Sequence, residues 1–138
     1  SETSYASCDV GIEYGESLER VENILSKELP NIRKRLPAII DGPFYKGVVE
    51  LGDNSVTIRI VVQCSESDRL QLERDLNREM KLIFDKYDIS IPFPQVVINQ
   101  PTEFKKATAA EQRSADQFNA QQKAAARELG NDEDDETR

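Results

Sequence analysis

Cysteines and closely spaced carboxylates are the side chains of this sequence that could do chemistry. Cys8 and Cys64 are its two cysteines, and it contains no histidine. Histidine is the usual base beside a nucleophilic serine or cysteine and the commonest metal ligand, so sites of those classes lack their central residue. No C-x-x-C pair is present, and a chain of 138 residues does not need disulfides to hold a core. We therefore expect two reduced, buried thiols.

The carboxylates carry no stronger signal for catalysis. Glu66 with Asp68, and Asp85 with Asp88, could pair as general acid and base, but an acidic chain is expected to place such pairs as solvated charges at helix ends. The glycines are too scattered for a phosphate-binding loop, and the acidic run 132–136 lacks the glycine and the spacing of a calcium loop. The sequence therefore predicts no enzyme, no catalytic residue, no cofactor and no metal.

The charge balance excludes one class of partner. Eighteen Lys and Arg against 26 Asp and Glu give a net charge of -8 and a pI near 4.7. We expect no nucleic acid partner, because phosphate binding needs a basic face. No uncharged apolar run reaches the ~18 residues of a bilayer-crossing helix, so we do not expect the chain to span a membrane by itself. No signal peptide is evident at its start.

Two periodicities define the elements that would position these side chains. Apolar residues alternate with polar ones in a first strand, at Ala6, Cys8, Val10, Ile12 and Tyr14. Ser17 is a candidate N-cap for a helix whose apolar residues recur at steps of three and four: Leu18, Val21, Leu25, Leu29, Ile32 and Leu36. Pro30 lies inside this helix and predicts a kink or a break. Pro37 and the turn 41–43 are expected to end the segment.

The next segment contains the clearest strand. Phe44 to Leu51 predicts a second strand, Gly52 to Ser55 a tight hairpin connection, and 56–64 a third, strictly alternating strand. Ser65 or Ser67 could cap a second helix. Its apolar stripe is Leu72, Leu76, Met80, Ile83 and Tyr87. Ile89, Ile91 and Phe93 then alternate as a last strand.

The element order predicts an α+β fold. The order β-α-β-β-α-β over about residues 5–94 is the ferredoxin-like arrangement, with two helices on one face of a four-stranded antiparallel sheet. Pro92 and Pro94 cannot donate to a strand ladder, so the last strand is expected at a sheet edge or to stop there.

A change of composition near residue 101 suggests three parts. We expect a ferredoxin-like domain over 1–95, a possible further strand over 96–100, and an Ala/Gln-rich acidic tail over 101–138 that is partly helical or disordered. Thr102 to Leu129 has helix-forming composition, and Gly130 is a candidate stop. Because its apolar stripe is mostly alanine, this helix should be marginal alone and either pack on a partner helix or fray.

Four segments, in order, resemble one family. Residues 47–59, GVVELGDNSVTIR, resemble the hairpin GV-x-x-LGDSSV-x-LR of the small-conductance mechanosensitive channel (MscS) family. Residues 74–81, RDLNREMK, resemble its helix REL-N-R-x-I-K, and residues 88–95, DISIPFPQ, resemble its signature GIEIPFPQ. Residues 9–14, DVGIEY, are similar to the strand that opens its cytoplasmic α/β domain.

This resemblance implies a function in a membrane channel. It implies that the chain is a piece of a longer protein whose transmembrane helices and middle β domain come first. Seven copies would enclose a cytoplasmic vestibule with side portals, which solutes cross when tension opens the pore in hypo-osmotic shock. In the family a barrel of one strand per subunit follows the PFPQ motif, and residues 96–98 could supply that strand. The tail beyond it could extend the assembly as a helical bundle or hang free.

The resemblance also selects positions, and it leaves one alternative open. Candidate turn or assembly positions are Gly52, Asp53, Pro92, Phe93, Pro94 and Gln95. The expected partners are copies of the same chain, seven for the full-length channel. The alternative is a stand-alone ferredoxin-like module that binds a small ligand or a protein.

Overall fold

A computed structural model describes residues 2–92 and 104–129 of the chain. The elements in order are β1 (Thr3–Ile12), α1 (Leu18–Arg35), β2 (Asp41–Leu51), β3 (Val56–Ser65), a 3-10 turn (Glu66–Asp68), α2 (Arg69–Lys86) and α3 (Ala109–Leu129). They fall into two compact units, Ser1–Phe93 and Pro94–Arg138. The first unit holds the sheet with α1 and α2, and the second holds α3.

Within the described residues the sheet has three antiparallel strands in the order β1-β3-β2. β1 pairs with β3 over its whole length, from Thr3 opposite Ser65 to Ile12 opposite Val56. β2 pairs with the other side of β3 through a register that shifts in three places. Bulges of this kind twist an edge strand and interrupt its hydrogen-bonding pattern, so a strand of another molecule pairs with it less readily.

One face of the sheet is buried and the other is open. The side chains of β1 and β3 at even positions are the buried ones: Ala6, Cys8, Ile12, Ile58, Ile60, Val62 and Cys64. α2 lies over β1 and α1 over β2, and their buried residues join this same core cluster. This confirms the α+β class and the predicted placement of both helices on one face.

α1 confirms the predicted cap and stripe. The hydroxyl of Ser17 accepts a hydrogen bond from the backbone N–H of Arg20 at 3.2 Å, and the buried side chains recur at helical spacing. The helix is continuous through Pro30, so the expected break is absent. Pro30 lies on the exposed face, where water can bond the carbonyl of Ser26 that loses its helical partner.

α2 ends in a way that changes the predicted last strand. Asp88 has a φ of 56°, and the N–H of Ile89 donates to the carbonyl of Phe84 at 2.9 Å. The N–H of Asp88 reaches the carbonyl of Asp85 at 3.4 Å, which completes the two bonds of a Schellman cap with Ile89 buried behind it.

The predicted fourth strand is therefore not formed at Ile89–Pro92. The N–H of Ile89 serves the helix cap, and Pro92 has none to donate. One backbone hydrogen bond, from the N–H of Glu13 to the carbonyl of Ser90 at 3.3 Å, joins this segment to the chain just past β1. The last residue of the predicted strand, Phe93, lies outside the described residues, as do Pro94, Gln95 and the possible further strand over 96–100.

β2 also begins earlier than predicted. Asp41, Gly42 and Pro43 were predicted as a turn, but they form the start of the strand. Gly42 has a φ of +97°, which a residue without Cβ adopts readily, and the register shift between Asp41 and Phe44 accommodates it. The chain is thus kept in the sheet by a bulge at the place where the residue types indicate a turn.

Polar contacts connect α1 to α2. Glu28 is buried, and its carboxylate accepts hydrogen bonds from the Tyr87 hydroxyl at 2.6 Å and the Lys86 ammonium at 3.0 Å. The guanidinium of Arg35 donates twice to Glu79, at 2.6 and 3.1 Å. The partner moves back along α2, from Lys86 to Glu79, as α1 advances from Glu28 to Arg35, so the two helices run in opposite directions.

α3 has a well-defined start. The N–H of Glu111 donates to the Thr108 hydroxyl at 3.1 Å, and the N–H of Thr108 donates to the Glu111 carboxylate at 2.9 Å. This is a reciprocal capping box. The helix runs from Ala109 to Leu129, later in its start than the predicted Thr102, and none of its side chains is buried. In the described ranges, none of the helices is both long and apolar enough to cross a membrane.

Stability should depend on the ionised form of Glu28. Its hydrogen bond from Tyr87, followed by those from Lys86 and Asn31, outweighs burial and lowers its pKa to about 2 from 4.5. A carboxylate with a lowered folded pKa stabilises the fold above its unfolded pKa, and this contribution disappears as the pH falls. We expect the free energy of unfolding to fall between pH 4.5 and pH 2, measured by urea titration.

Glu28→Gln should lower the free energy of unfolding at pH 7 by about 1–3 kcal/mol and flatten this acid dependence. Glu19→Gln, on the exposed surface of the same helix, is the matched control and should keep the slope of the unchanged chain. Equal slopes for all three proteins would contradict the assignment.

Candidate functional site

Three segments meet at one end of the sheet, which we call the hairpin end. They are the end of β1 with the residues after it (11–14), the connection between β2 and β3 (52–55), and the segment after α2 (90–92). The pairing of Ile12 with Val56 and of Val56 with Leu51 brings the first two segments to the same edge.

Hydrogen bonds fasten the hairpin end. The hydroxyl of Tyr14 donates to the carbonyl of Gly52, and the N–H of Gly52 donates to the carbonyl of Ser55 at 2.8 Å. The N–H of Ser90 donates to the Glu16 carboxylate at 2.5 Å. The connection between β2 and β3 is therefore tied to residues that follow β1, which are far away in sequence.

Gly11 lets the three segments approach closely. A Cβ placed on Gly11 would lie 3.3 Å from both Cβ and Oγ of Ser55 and 4.0 Å from Cδ of Pro92. Contacts of 3.3 Å are tighter than ordinary van der Waals packing, so the absent side chain leaves room for Ser55. Gly11 thus has a packing function at the hairpin end.

Three of the exposed apolar side chains of the first unit lie at or beside this end. Leu51 is 72% exposed, Tyr14 is 53% exposed and Ile91 is 38% exposed, although each adjoins a residue of the hairpin end that is hydrogen-bonded or packed. An exposed group of apolar residues on an ordered edge is typical of a surface that another molecule covers.

The open face of the sheet has a different character. The Arg59 guanidinium donates to both oxygens of Asp9, at 2.7 and 2.9 Å, across the β1–β3 pair. The hydrogen bond from Arg59 lowers the pKa of Asp9. Two rings also lie on this face, Tyr5 at 61% exposed and Phe44 at 47% exposed, and Phe44 is opposite Val61.

The side chains that could do chemistry are held in unreactive states. Cys8 and Cys64 are free and buried, as predicted. Burial, with Asp9 nearby, raises the pKa of the Cys8 thiol to about 11, and burial likewise raises that of Cys64. Because a thiolate is the nucleophile, neither is activated at neutral pH. Glu66 accepts from Arg69 at 3.3 Å and Asp85 from Lys81 at 2.5 Å, as charges at helix ends do.

A metal centre finds no support in residues 2–92 and 104–129. No three Cys, Asp or Glu side chains among them are grouped so that they could hold an ion. Glu28 and Glu79 are the buried glutamates, and both bind cationic or hydroxyl groups of neighbouring elements. What the hairpin end offers is an ordered, partly apolar surface suited to contact with another molecule.

The predicted site residues divide into two groups. Gly52, Asp53 and Pro92 lie at the hairpin end, with Asp53 exposed at the tip of the connection. Phe93, Pro94 and Gln95 lie outside the described residues. Sequence reasoning missed Gly11, Tyr14 and Ser90 as members of this group. A glycine at an outward position of a regular strand was the available signal for Gly11, since such a glycine often marks a close approach.

Comparisons with known proteins agree on one family. Residues 6–91 match the protein family described as "Mechanosensitive ion channel MscS, C-terminal". The small-conductance mechanosensitive channel of Caldanaerobacter subterraneus subsp. tengcongensis is 22% identical over 93 residues, which are 67% of this chain and 33% of that protein. The chain therefore spans about a third of the length of this curated relative.

A solved structure agrees in fold. The crystal structure of Helicobacter pylori MscS in its closed state matches with a TM-score of 0.56 and 20% sequence identity. The match covers 75% of this chain and 40% of that one. At this identity the likeness concerns the arrangement of the backbone.

Crowding at Gly11 gives a direct test of the hairpin end. Gly11→Ala should lower the free energy of unfolding by about 1 kcal/mol, because the new methyl group meets Ser55. Gly15→Ala is the control, since a Cβ there meets nothing within 4 Å, and it should be neutral within about 0.5 kcal/mol. In a chain that already carries Ser55→Gly, adding Gly11→Ala should lower the free energy of unfolding much less than it does in the unchanged chain. An equal loss in the two chains would show that Ser55 is not the obstacle.

Proposed function

We propose, from the fact that this chain belongs to the mechanosensitive ion channel MscS family, that it forms part of the wall of a cytoplasmic vestibule below a membrane pore. In this function the chain contributes to assembly of subunits and to the passage of solutes when the channel opens in osmotic shock. The single observation that carries the proposal is the family match across residues 6–91, which covers nearly all of the first unit.

The length of the relative supports a larger protein around this chain. A chain that spans a third of a channel leaves two thirds for other regions, and we propose that these include the membrane-spanning part. This chain would then lie on the cytoplasmic side, attached to the membrane only through that part. It would carry no catalytic residue.

The strand order supports a ferredoxin-like arrangement. A ferredoxin-like sheet without its last strand has the order β1-β3-β2, which is the order of the described strands. The missing position is beside β1, where the N–H of Glu13 already bonds the carbonyl of Ser90. We propose that residues after Pro92 complete this edge or lead directly into the next part of the assembly.

The hairpin end is the proposed contact between subunits. Gly52 and Asp53 would shape it, and the segment from Pro92 to Gln95 would continue from it toward the neighbouring copy. Leu51 supplies exposed apolar surface beside Gly52. Each subunit of a ring uses two different surfaces, so the hairpin end would meet another surface of the next copy. A ring of seven copies is proposed from the resemblance of the motifs.

Each of the three parts of the chain has its own place in the proposed assembly. Residues 1–95 would form the vestibule wall, 96–100 a strand contributed to a barrel shared by all subunits, and 101–138 a tail that carries α3. Each part would then contribute once per subunit to a structure with a common axis.

Survival of hypo-osmotic shock tests the function itself. The gene that encodes this chain, expressed at its natural length in bacteria without their own mechanosensitive channels, should raise survival after a downshift above that with empty vector. An immunoblot of membrane and soluble fractions is the control for expression. Protein in the membrane fraction without a gain in survival would overturn the proposal. Protein found in the soluble fraction would favour the stand-alone binding module.

Assembly tests the hairpin end. Leu51→Asp should reduce the assembled fraction of the full-length protein severalfold on native gels, because a carboxylate in an apolar contact loses hydration without gaining a partner. Leu82→Asp is the matched control on α2, where leucine is 42% exposed, and it should leave assembly unchanged. Equal effects of the two changes would place the subunit contact elsewhere.

A further inference from the structure

α3 carries a seven-residue repeat that the core of the protein does not use. Positions separated by alternating steps of four and three residues form one face: Glu111, Ala115, Phe118, Gln122, Ala125 and Leu129. Steps of this kind define the a and d positions of a coiled coil. Phe118 and Leu129 are 63% and 75% exposed, and they are the large apolar side chains of the helix.

Most of the charged residues of α3 lie away from this face. The residues that flank it, at the e and g positions, are Gln112, Ser114, Asn119, Gln121, Ala126 and Glu128. Only the last of these is charged. Arg113, Asp116, Lys123 and Arg127 all fall at the b and f positions on the far side. Like charges repel most strongly when identical helices face each other, so this arrangement suits association with copies of the same helix.

The two polar side chains on the face have separate explanations. Glu111 belongs to the capping box with Thr108 and lies at the very start of the helix. Gln122 lies in the middle, at an a position. An amide is both a donor and an acceptor, so another glutamine at the same height can satisfy it. Copies of one helix place every residue of the face, Gln122 included, at the same height as its own copy only when they run parallel, as helices that lie along a common rotation axis do. A single polar a residue is also a known way to fix register.

We propose that α3 helices of neighbouring copies pack side by side in parallel, with the face of Ala115, Phe118, Gln122, Ala125 and Leu129 turned to the common axis. The small alanines let the helices approach closely, and flanks with a single charged residue, Glu128, allow more than two helices to share the contact. This proposal rests on the proposed function, in which several copies already assemble through the first unit.

The contact between α3 helices is weak because few of its side chains are large and apolar, and this weakness determines when the contact forms. Each helix offers two large apolar side chains, so the apolar area that it can bury is small. Ordering the helices and bringing them together costs entropy that this area does not offset, so isolated helices of this length should stay apart. Copies held together by the rest of the protein raise the effective concentration of α3 to about millimolar, at which a weak contact forms. The α3 helices would therefore associate only after the first unit has begun assembly, and their contact would then stabilise the assembly.

Cysteine cross-linking in the full-length protein tests the geometry. Ala115→Cys and Ala125→Cys place a thiol on the proposed face, and Ala120→Cys, at an f position of the same helix, is the matched control. The native Cys8 and Cys64 are buried and should not compete. With a mild oxidant in cell membranes, we expect both face variants to form disulfide-linked dimers about tenfold faster than the control, because the Cα atoms must approach within about 7 Å.

Each outcome of the cross-linking experiment separates the parallel bundle from an alternative arrangement of the helices. Equal rates for the three variants would mean random collision of tails and would overturn the bundle, and so would the absence of dimers from all of them. Fast cross-linking of only one of the two face variants would overturn the parallel arrangement, because antiparallel helices bring a residue near its own copy at one level only. Native mass of the same samples separates this from the proposed function. Monomers would contradict assembly altogether, whereas oligomers without face-specific dimers would contradict the bundle alone.

Discussion

Burial of one face of the sheet beneath two helices is the constraint on which the other features of the first unit depend. The even positions of β1 and β3 are committed to the core, so side chains such as Cys8 and Cys64 lose contact with water and their thiols stay protonated. The odd positions form the open face, where Asp9 and Arg59 neutralise each other. In the described part of the chain, a sheet built in this way holds its thiols protonated and its open face neutralised. What can be varied for function is the edge of the sheet and the segments beyond it.

The two helices also bury polar side chains, which need hydrogen-bond partners in the interior. Burying Glu28 without partners would be costly, so the carboxylate holds Tyr87 and Lys86, which lie where α2 ends. The same region continues through the Schellman cap into Ile89 and then Ser90. The position of the chain at the hairpin end is therefore determined by the interior, through a series of short contacts from α1 to the segment after α2. A surface positioned by the core can serve as a repeatable contact between copies.

Local sequence patterns were sufficient to predict the strands and helices whose formation depends on neighbouring residues. Alternation gave β1 and β3, and steps of three and four gave both helices of the first unit. The fourth strand is not formed over Ile89–Pro92, because the N–H of Ile89 belongs to a helix cap in which Asp88 adopts a positive φ. Such a conformation is uncommon for aspartate, and the family signature has glycine at this place. The site was missed for a different reason: Gly11 and Tyr14 are far in sequence from Ser90 and from the connection 52–55, and no periodicity links these segments.

The separation of stability from assembly explains why α3 can remain a weak element. The first unit has its own core, so nothing in its folding requires α3 to be buried. A strongly apolar helix in that position would pair with any apolar surface before the copies met, whereas an alanine-rich face with one glutamine gains little from a wrong partner. Its contact becomes favourable only when several identical helices are already close, because the entropy of bringing them together has then been lost elsewhere. In the proposed bundle, selectivity of α3 for its own copies would thus follow from a weak contact combined with symmetry.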